Sequence, residues 1–299
     1  MKQRIAQLIT FVLLIPCFLF GSGSYEILSF SQDARSLSLH NAASAYDGPF
    51  LRNNPAALSI DSEGMIYSYL LFPAGIHSIE IQKLMVENNR IHVNKISFIS
   101  YGAIIDSKTD EKTSAFDILL EMGYKRPLEN IASIGLSGGY LFSSIAGYYS
   151  QILYTNIGIR SRMMRKRVGV GFSLENAGFI LTSYTDVKEP IPVIFRSSCY
   201  YKPRYLSAII SVDIINNLDR NSTELSGGLE FNPGKRLTIR LGCSNQRRGF
   251  ITGDFSSDLL AAVSGGAGFQ FKKIYLDVGF MNLGAAGYVV GFSIFRKSD

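Results

Sequence analysis

Between Met65 and Phe295 the chain alternates apolar and polar residues in about fourteen short stretches, joined by links that are short and long by turns. In the stretch 236–244, Leu237, Ile239, Leu241 and Cys243 share one face, and Arg236, Thr238, Arg240, Gly242 and Ser244 share the other. Successive strand side chains point to opposite faces. Such a face meets either a second sheet, as in a soluble sandwich, or lipid, as in an outer-membrane barrel with a wet interior.

The links separate these two readings. With the strands numbered from Met65, the links after even strands are brief: 125–130, 202–203, 232–235 and 272–273. Those after odd strands are longer, as at 103–114, 176–191, 216–222 and 245–258, with 144–148 and 282–286 as brief exceptions. A membrane barrel puts short turns at its periplasmic end and longer loops outside. A sandwich has no reason to sort them. The reading is therefore all-β: a transmembrane antiparallel β-barrel of about fourteen strands with an N-terminal plug segment. Upstream stretches near 65–72, 75–84, 89–102, 115–124, 131–143, 149–160, 167–176, 192–201 and 204–215 complete the count.

Register is set by charge. Arg196, Asp213, Glu224, Glu230, Arg236, Arg240 and Asp277 fall at inward positions and form candidate lumen charges. A slip of one residue would drive the carboxylates of Glu224, Glu230 and Asp277 into lipid. Either they neutralise one another in an ion-pair network or they line a solute path. Cys199 and Cys243 fall at outward parity and read as small hydrophobes rather than a disulfide. The basic run Arg160, Arg162, Arg165, Lys166 and Arg167 is expected in a periplasmic link, as a solvated turn or a surface for a partner or anionic headgroups.

Residues 1–24 have the form of a cleaved secretory signal: Lys2 and Arg4, an apolar run from Leu8 to Phe20, then Gly21 to Ser24. A signal anchor is the alternative, although the run is shorter than the roughly 20 residues of a spanning helix. After Phe20 no apolar run is long enough to span as a helix, so an exported chain with 46% apolar residues must cross as strands. Residues 25–64 are expected as the plug, with Asn54 capping a short helix whose first residue is Pro55, followed by Ala56. A periplasmic tail is the alternative. The barrel is assigned to 65–299.

The run Ser24-Tyr25-Glu26-Ile27-Leu28, then Asp33-Ala34-Arg35, then Asn54-Pro55-Ala56-Ala57-Leu58, resembles the N-terminal plug region of the PorV/PorQ proteins, barrels related to the FadL transporters. Leu174-Glu175-Asn176-Ala177-Gly178 followed by Ile191-Pro192, and Leu241 through Arg248, extend the likeness, which is closer to PorQ. Ser36-Leu37-Ser38-Leu39-His40 departs from the Gly-rich run usual in that family, and Arg296-Lys297-Ser298-Asp299 follows Phe295, where barrels commonly end on an aromatic. The resemblance implies an outer-membrane component of type IX secretion that acts by protein–protein binding, with lipid, secretion-system proteins or secreted cargo as partners. FadL-like uptake of hydrophobic solutes is the alternative, with Phe50, Leu51 and Ile60 as groove or plug-packing residues. A structural barrel without cargo is a third reading.

The chemistry of an enzyme is not in evidence. His40, His77 and His92 stand beside no recognisable Ser or Asp partner. No cofactor loop, metal cluster or nucleic-acid motif is present in the sequence.

Overall fold

The computed structural model describes residues 25–30, 32–51, 53–59, 63–105, 112–128, 131–186, 189–234, 236–245 and 262–298. The expected signal segment, Ile60 and most of link 245–258 lie outside them. Fourteen strands close into one antiparallel barrel in which each pairs with its sequence neighbours and the first meets the last. They are β1 (Gly64–Phe72), β2 (Ile76–Glu87), β3 (Arg90–Ile105), β4 (Lys112–Leu128), β5 (Ala132–Ile145), β6 (Tyr148–Met163) and β7 (Val168–Thr182). The second half holds β8 (Ile194–Tyr201), β9 (Ala208–Asn217), β10 (Ser222–Phe231), β11 (Leu237–Ser244), β12 (Val263–Phe271), β13 (Ile274–Asn282) and β14 (Tyr288–Lys297). Gly64 faces Lys297 and Leu71 faces Val290 across the closing seam.

The wall is apolar outside. Ile79, Phe98, Leu120, Leu136, Ile157, Phe172, Leu229, Leu276 and Phe292 point outward and are 36–51% exposed. A continuous girdle of such residues has no place in water and suits lipid. Cys199 and Cys243 share this outer surface as free, exposed thiols. At the end where the chain enters, the pattern inverts on β2 and β3. Leu84, Ile91 and Val93 turn inward, while Lys83, His92 and Asn94 are exposed. That end stands clear of the apolar girdle.

Three elements differ from the sequence reading. Lys125 lies on β4 and is buried, because that strand runs on to Leu128. Arg160 and Arg162 belong to β6 rather than to a link; only Met164 to Arg167 turn the chain, with Met164, Arg165 and Lys166 at positive φ. The third is β7, which continues through Asn176 to Thr182 instead of ending there. Its register against β6 shifts between Thr155 and Ile157, and Asn176 sits at φ 60°. One extra residue in a ladder bends the strand and reverses the parity beyond it. Phe179 and Leu181 thus return to the outer face.

The described residues between 25 and 59 pack within this wall. Helix α1 (Ala34–Ser38) is capped by Asp33, whose Oδ1 accepts from Ser36 N at 2.8 Å. It lies on the inner face of β11–β14, where Ala34 N donates to Ser293 Oγ at 2.9 Å and Ser264 Oγ donates to Ser38 O at 3.1 Å. A Cβ on Gly279 would strike the Ala34 carbonyl. A second seat lies opposite. Asn54 caps the single 3-10 turn Pro55–Ala57, its Oδ1 accepting from Ala56 N at 3.0 Å. That turn rests on β5–β7: Ser133 Oγ donates to Ala56 O at 2.9 Å, and Asn54 Nδ2 donates to Ile159 O and Phe172 O at 3.3 and 3.4 Å. A Cβ on Gly135 would strike the backbone of Pro55 and Ala56. Phe50, Leu51 and Leu58 complete this end by packing on Ile66, Leu84, Ile91, Val93 and Phe295. Phe50 and Leu51 are plug-packing residues rather than the lining of an open groove.

Candidate functional site: the filled lumen

Of the inward charges, Arg196, Asp213, Glu230, Arg240 and Asp277 are buried and paired. Arg35 of α1 donates to Glu230 at 3.0 Å, Arg240 donates to the same carboxylate oxygen at 2.7 Å, and Arg240 also reaches Asp277 at 2.5 Å. Arg196 makes two hydrogen bonds to Glu175, at 2.8 and 3.2 Å, and lies 3.7 Å from Asp213. Asp213 in turn accepts from the backbone N–H of Ala43 and Ser44 at 3.1 and 3.2 Å. Glu224 is half-buried, accepts from Ser226 at 3.0 Å and lies 3.9 Å from His40. Arg236 differs from the rest: it is exposed in the turn ahead of β11, where the strand has not yet begun to alternate.

Two further charge groups lie in the lumen beside those expected from the sequence. Asp47 accepts from Arg160 at 2.5 Å and lies 3.5 Å from Arg162 and 4.0 Å from Lys125. Lys95 stands 2.7 Å from Glu121 and 3.9 Å from Glu80. Glu80 and Gln82 alternate with Ile79 and Ile81, so the signal for this second group was present in β2. Arg35, Asp47 and the Ala43–Ser44 backbone all come from the plug. Desolvated charges are costly unless paired and hydrogen-bonded, so these pairs hold the plug in one position and oppose its sliding.

The other end of the lumen has a different character. Ile99, Leu119, Leu141 and Ile152 project inward from β3–β6 and form an apolar slot, closed by Ile191. The slot is filled by Tyr25 and Ile27, the first described residues of the chain. Three contacts latch that segment. Tyr25 Oη and Ser150 Oγ are 2.8 Å apart, Tyr25 stacks on Tyr184 at 6.0 Å, and Asn176 Nδ2 donates to Leu28 O at 3.0 Å. Asn176 also donates to Pro192 O at 3.0 Å, which explains why the bulge on β7 and Ile191-Pro192 form one motif. Tyr184, in the β7–β8 loop, donates to Ser143; burial pushes its hydroxyl up to about 12, so it remains a donor at neutral pH.

Two cavities flank α1. One, of about 510 Å³, opens at the entry end beside Arg35, Arg236 and Arg240. The other, of about 350 Å³, lies at the loop end beside His40 and Asn41. His77 and His92 are far from both: His77 Nδ1 lies 2.7 Å from Tyr69 Oη on the outer wall, and His92 packs on Tyr124. Neither His stands with a Ser or an Asp in these contacts.

No family model matches the chain, and no curated protein matches it in sequence. Solved structures share its fold. The Pseudomonas putida toluene transporter TodX aligns with a TM-score of 0.57 and 11% identity, over 93% of this chain and 98% of that one. The Ralstonia pickettii toluene transporter TbuX gives a TM-score of 0.58 and 11% identity, over 90% and 98%. The CymD monoaromatic hydrocarbon channel gives 0.57 and 10%, over 89% and 97%. At these identities the likeness is one of fold.

Proposed function

We propose that this barrel lies in an outer membrane and passes small apolar solutes, as a FadL-like channel. The observation that carries this reading is the apolar slot between β3–β6, which holds Tyr25 and Ile27. The chain's own apolar side chains occupy a space that a hydrocarbon of similar size would fill. Burial of apolar surface, roughly 25 cal/mol per Å², supplies the affinity in either case. The shared fold with TodX and TbuX supports the same reading. Transport requires the latch on Tyr25 and Leu28 to release, because the segment and the solute compete for one slot. Radiolabelled toluene accumulation is the test. A deletion strain should accumulate it more slowly and a plasmid copy should restore the rate. Accumulation independent of the gene refutes the channel.

A second reading is a PorV/PorQ-type component of type IX secretion that binds cargo or attachment machinery. It is supported by the ion pairs that tie Arg35 and Asp47 to the barrel wall and by the N-terminal motifs. In that case a deletion strain retains exported cargo or releases it unattached, while toluene accumulation is unchanged. Both readings place the chain in the outer membrane after cleavage of residues 1–24. N-terminal sequencing of the mature protein should begin near Tyr25.

A further inference from the structure

The turns at the end where the chain enters carry one sign of charge. Links 164–167, 202–207, 232–236 and 272–273 join β6 to β7, β8 to β9, β10 to β11 and β12 to β13; they hold nine lysines and arginines and no aspartate or glutamate. Links at the other end mix signs, as Asp186, Lys188 and Glu189 do between β7 and β8. Arg165, Lys166, Arg167, Arg204, Arg236 and Lys272 are exposed. Lys202 turns back instead, its ammonium 4.6 Å from the centre of the Tyr46 ring of the plug.

Charge alone suits water, but the neighbours of these cations do not. Met164 is 74% exposed and Tyr205 is 92% exposed, both within the turns. The apolar girdle runs up to the same turns, since Met163, Tyr201, Phe271 and Ile274 face outward on the rungs beside them. Arg204 lies 5.5 Å from the centre of the Tyr205 ring, so cation and aromatic share one spot. At the boundary of a bilayer, rings and aliphatic stems enter the acyl region while charges reach the headgroups. An acidic protein surface would answer the charge but not its continuity with the girdle. We propose that this rim, from β6 to β13, binds anionic phospholipid headgroups of the periplasmic leaflet. The inference rests on the membrane placement common to both functional readings and not on what crosses the barrel.

The test is electron spin resonance on the full-length barrel in phosphatidylcholine bilayers, with spin-labelled phosphatidylglycerol or phosphatidylcholine as the probe. A basic residue near an anionic surface is worth about fivefold in affinity. The wall should therefore immobilise phosphatidylglycerol in preference to phosphatidylcholine by about fivefold, and roughly 1 M salt should erase most of that preference. Arg165→Gln, Lys166→Gln and Arg167→Gln together should lower it, and adding Lys272→Gln and Lys273→Gln should bring it close to parity. Arg90→Gln, at the β2–β3 turn that stands clear of the girdle, should leave it at the wild-type value. Heat-modifiable migration confirms that each variant folds, and either set of substitutions suffices if the other does not. Equal immobilisation of both lipids by the wild type overturns the proposal and leaves the turns to solvent or to an acidic periplasmic protein. A preference that survives in the folded variants overturns it too. A barrel that does not enter bilayers overturns the membrane placement, and this proposal with it.

Discussion

Gly135→Ala is the sharpest test of how the lumen is closed. The added methyl would meet backbone atoms of Pro55 and Ala56, which cannot rotate away as a side chain could. Relief requires the turn at Pro55–Ala57 to lift from β5–β7. Lifting breaks the Ser133–Ala56 bond, the two bonds from Asn54 Nδ2, and the charged bond from Lys125 to Leu58 O. At about 1 kcal/mol for each neutral bond and 1.5–3 for the charged one, the seat contributes roughly 4–6 kcal/mol. Its loss raises the lifted population by about a thousandfold or more. Barrel closure is carried by strand ladders that the substitution does not touch, and Arg35 still anchors α1. Planar-bilayer recordings should therefore show frequent openings in Gly135→Ala and a quiet wild type. Gly227→Ala is the control: its methyl faces outward, 3.8 Å from Cys243 Sγ. A quiet Gly135→Ala barrel with normal heat-modifiable migration would refute the idea that this seat seals the lumen.

Four further outcomes are expected. Glu230→Gln leaves Arg35 and Arg240 without their shared carboxylate and should cost about 3–5 kcal/mol, read as earlier thermal loss of the compact band on gels. Leu229→Arg puts a charge in the apolar girdle at a cost of roughly 2–4 kcal/mol and should reduce the assembled fraction, whereas Leu229→Phe should not. Thr185→Cys, in the β7–β8 loop, should label from outside intact cells and Arg165→Cys should not; the reverse pattern would invert the barrel. The Tyr184–Ser143 contact should persist at pH 10 and be lost as pH rises towards 12, because the raised hydroxyl stays protonated in the folded state up to that range. Difference absorbance against Tyr184→Phe detects the ionisation.

The barrel was legible wherever one face of a strand is polar. On β10 and β13, Glu230 and Asp277 alternate with Leu229 and Leu276, and parity follows directly. It was least legible where both faces are apolar. Ile99, Leu119, Leu141 and Ile152 point inward beside outward Phe98, Leu120, Phe142 and Leu153, so alternation disappears at the slot that matters most. The bulge at Asn176 hid for another reason. Glu175-Asn176-Ala177-Gly178 breaks the pleat and carries turn-forming residues, so it reads as a loop although the strand resumes beyond it. Asn54 and Pro55 were readable as a cap because their roles depend on adjacent residues alone. The glycine that receives them, Gly135, was not, because a small inward residue gives no hint of what it makes room for.

The seating of α1 also governs the order of events in folding. Ala34 bonds to Ser293 and Ser38 to Ser264, partners separated by 259 and 226 positions along the chain. A segment made early thus acquires its native surroundings only when the final strands exist. Until then its apolar residues, Leu37 and Leu39 among them, have nowhere native to go. Contacts this distant in sequence form slowly and leave sticky intermediates. A chain interrupted before β12 would present a partial sheet and a homeless leading segment, so release of unfinished chains is the step at which this protein is most exposed to aggregation.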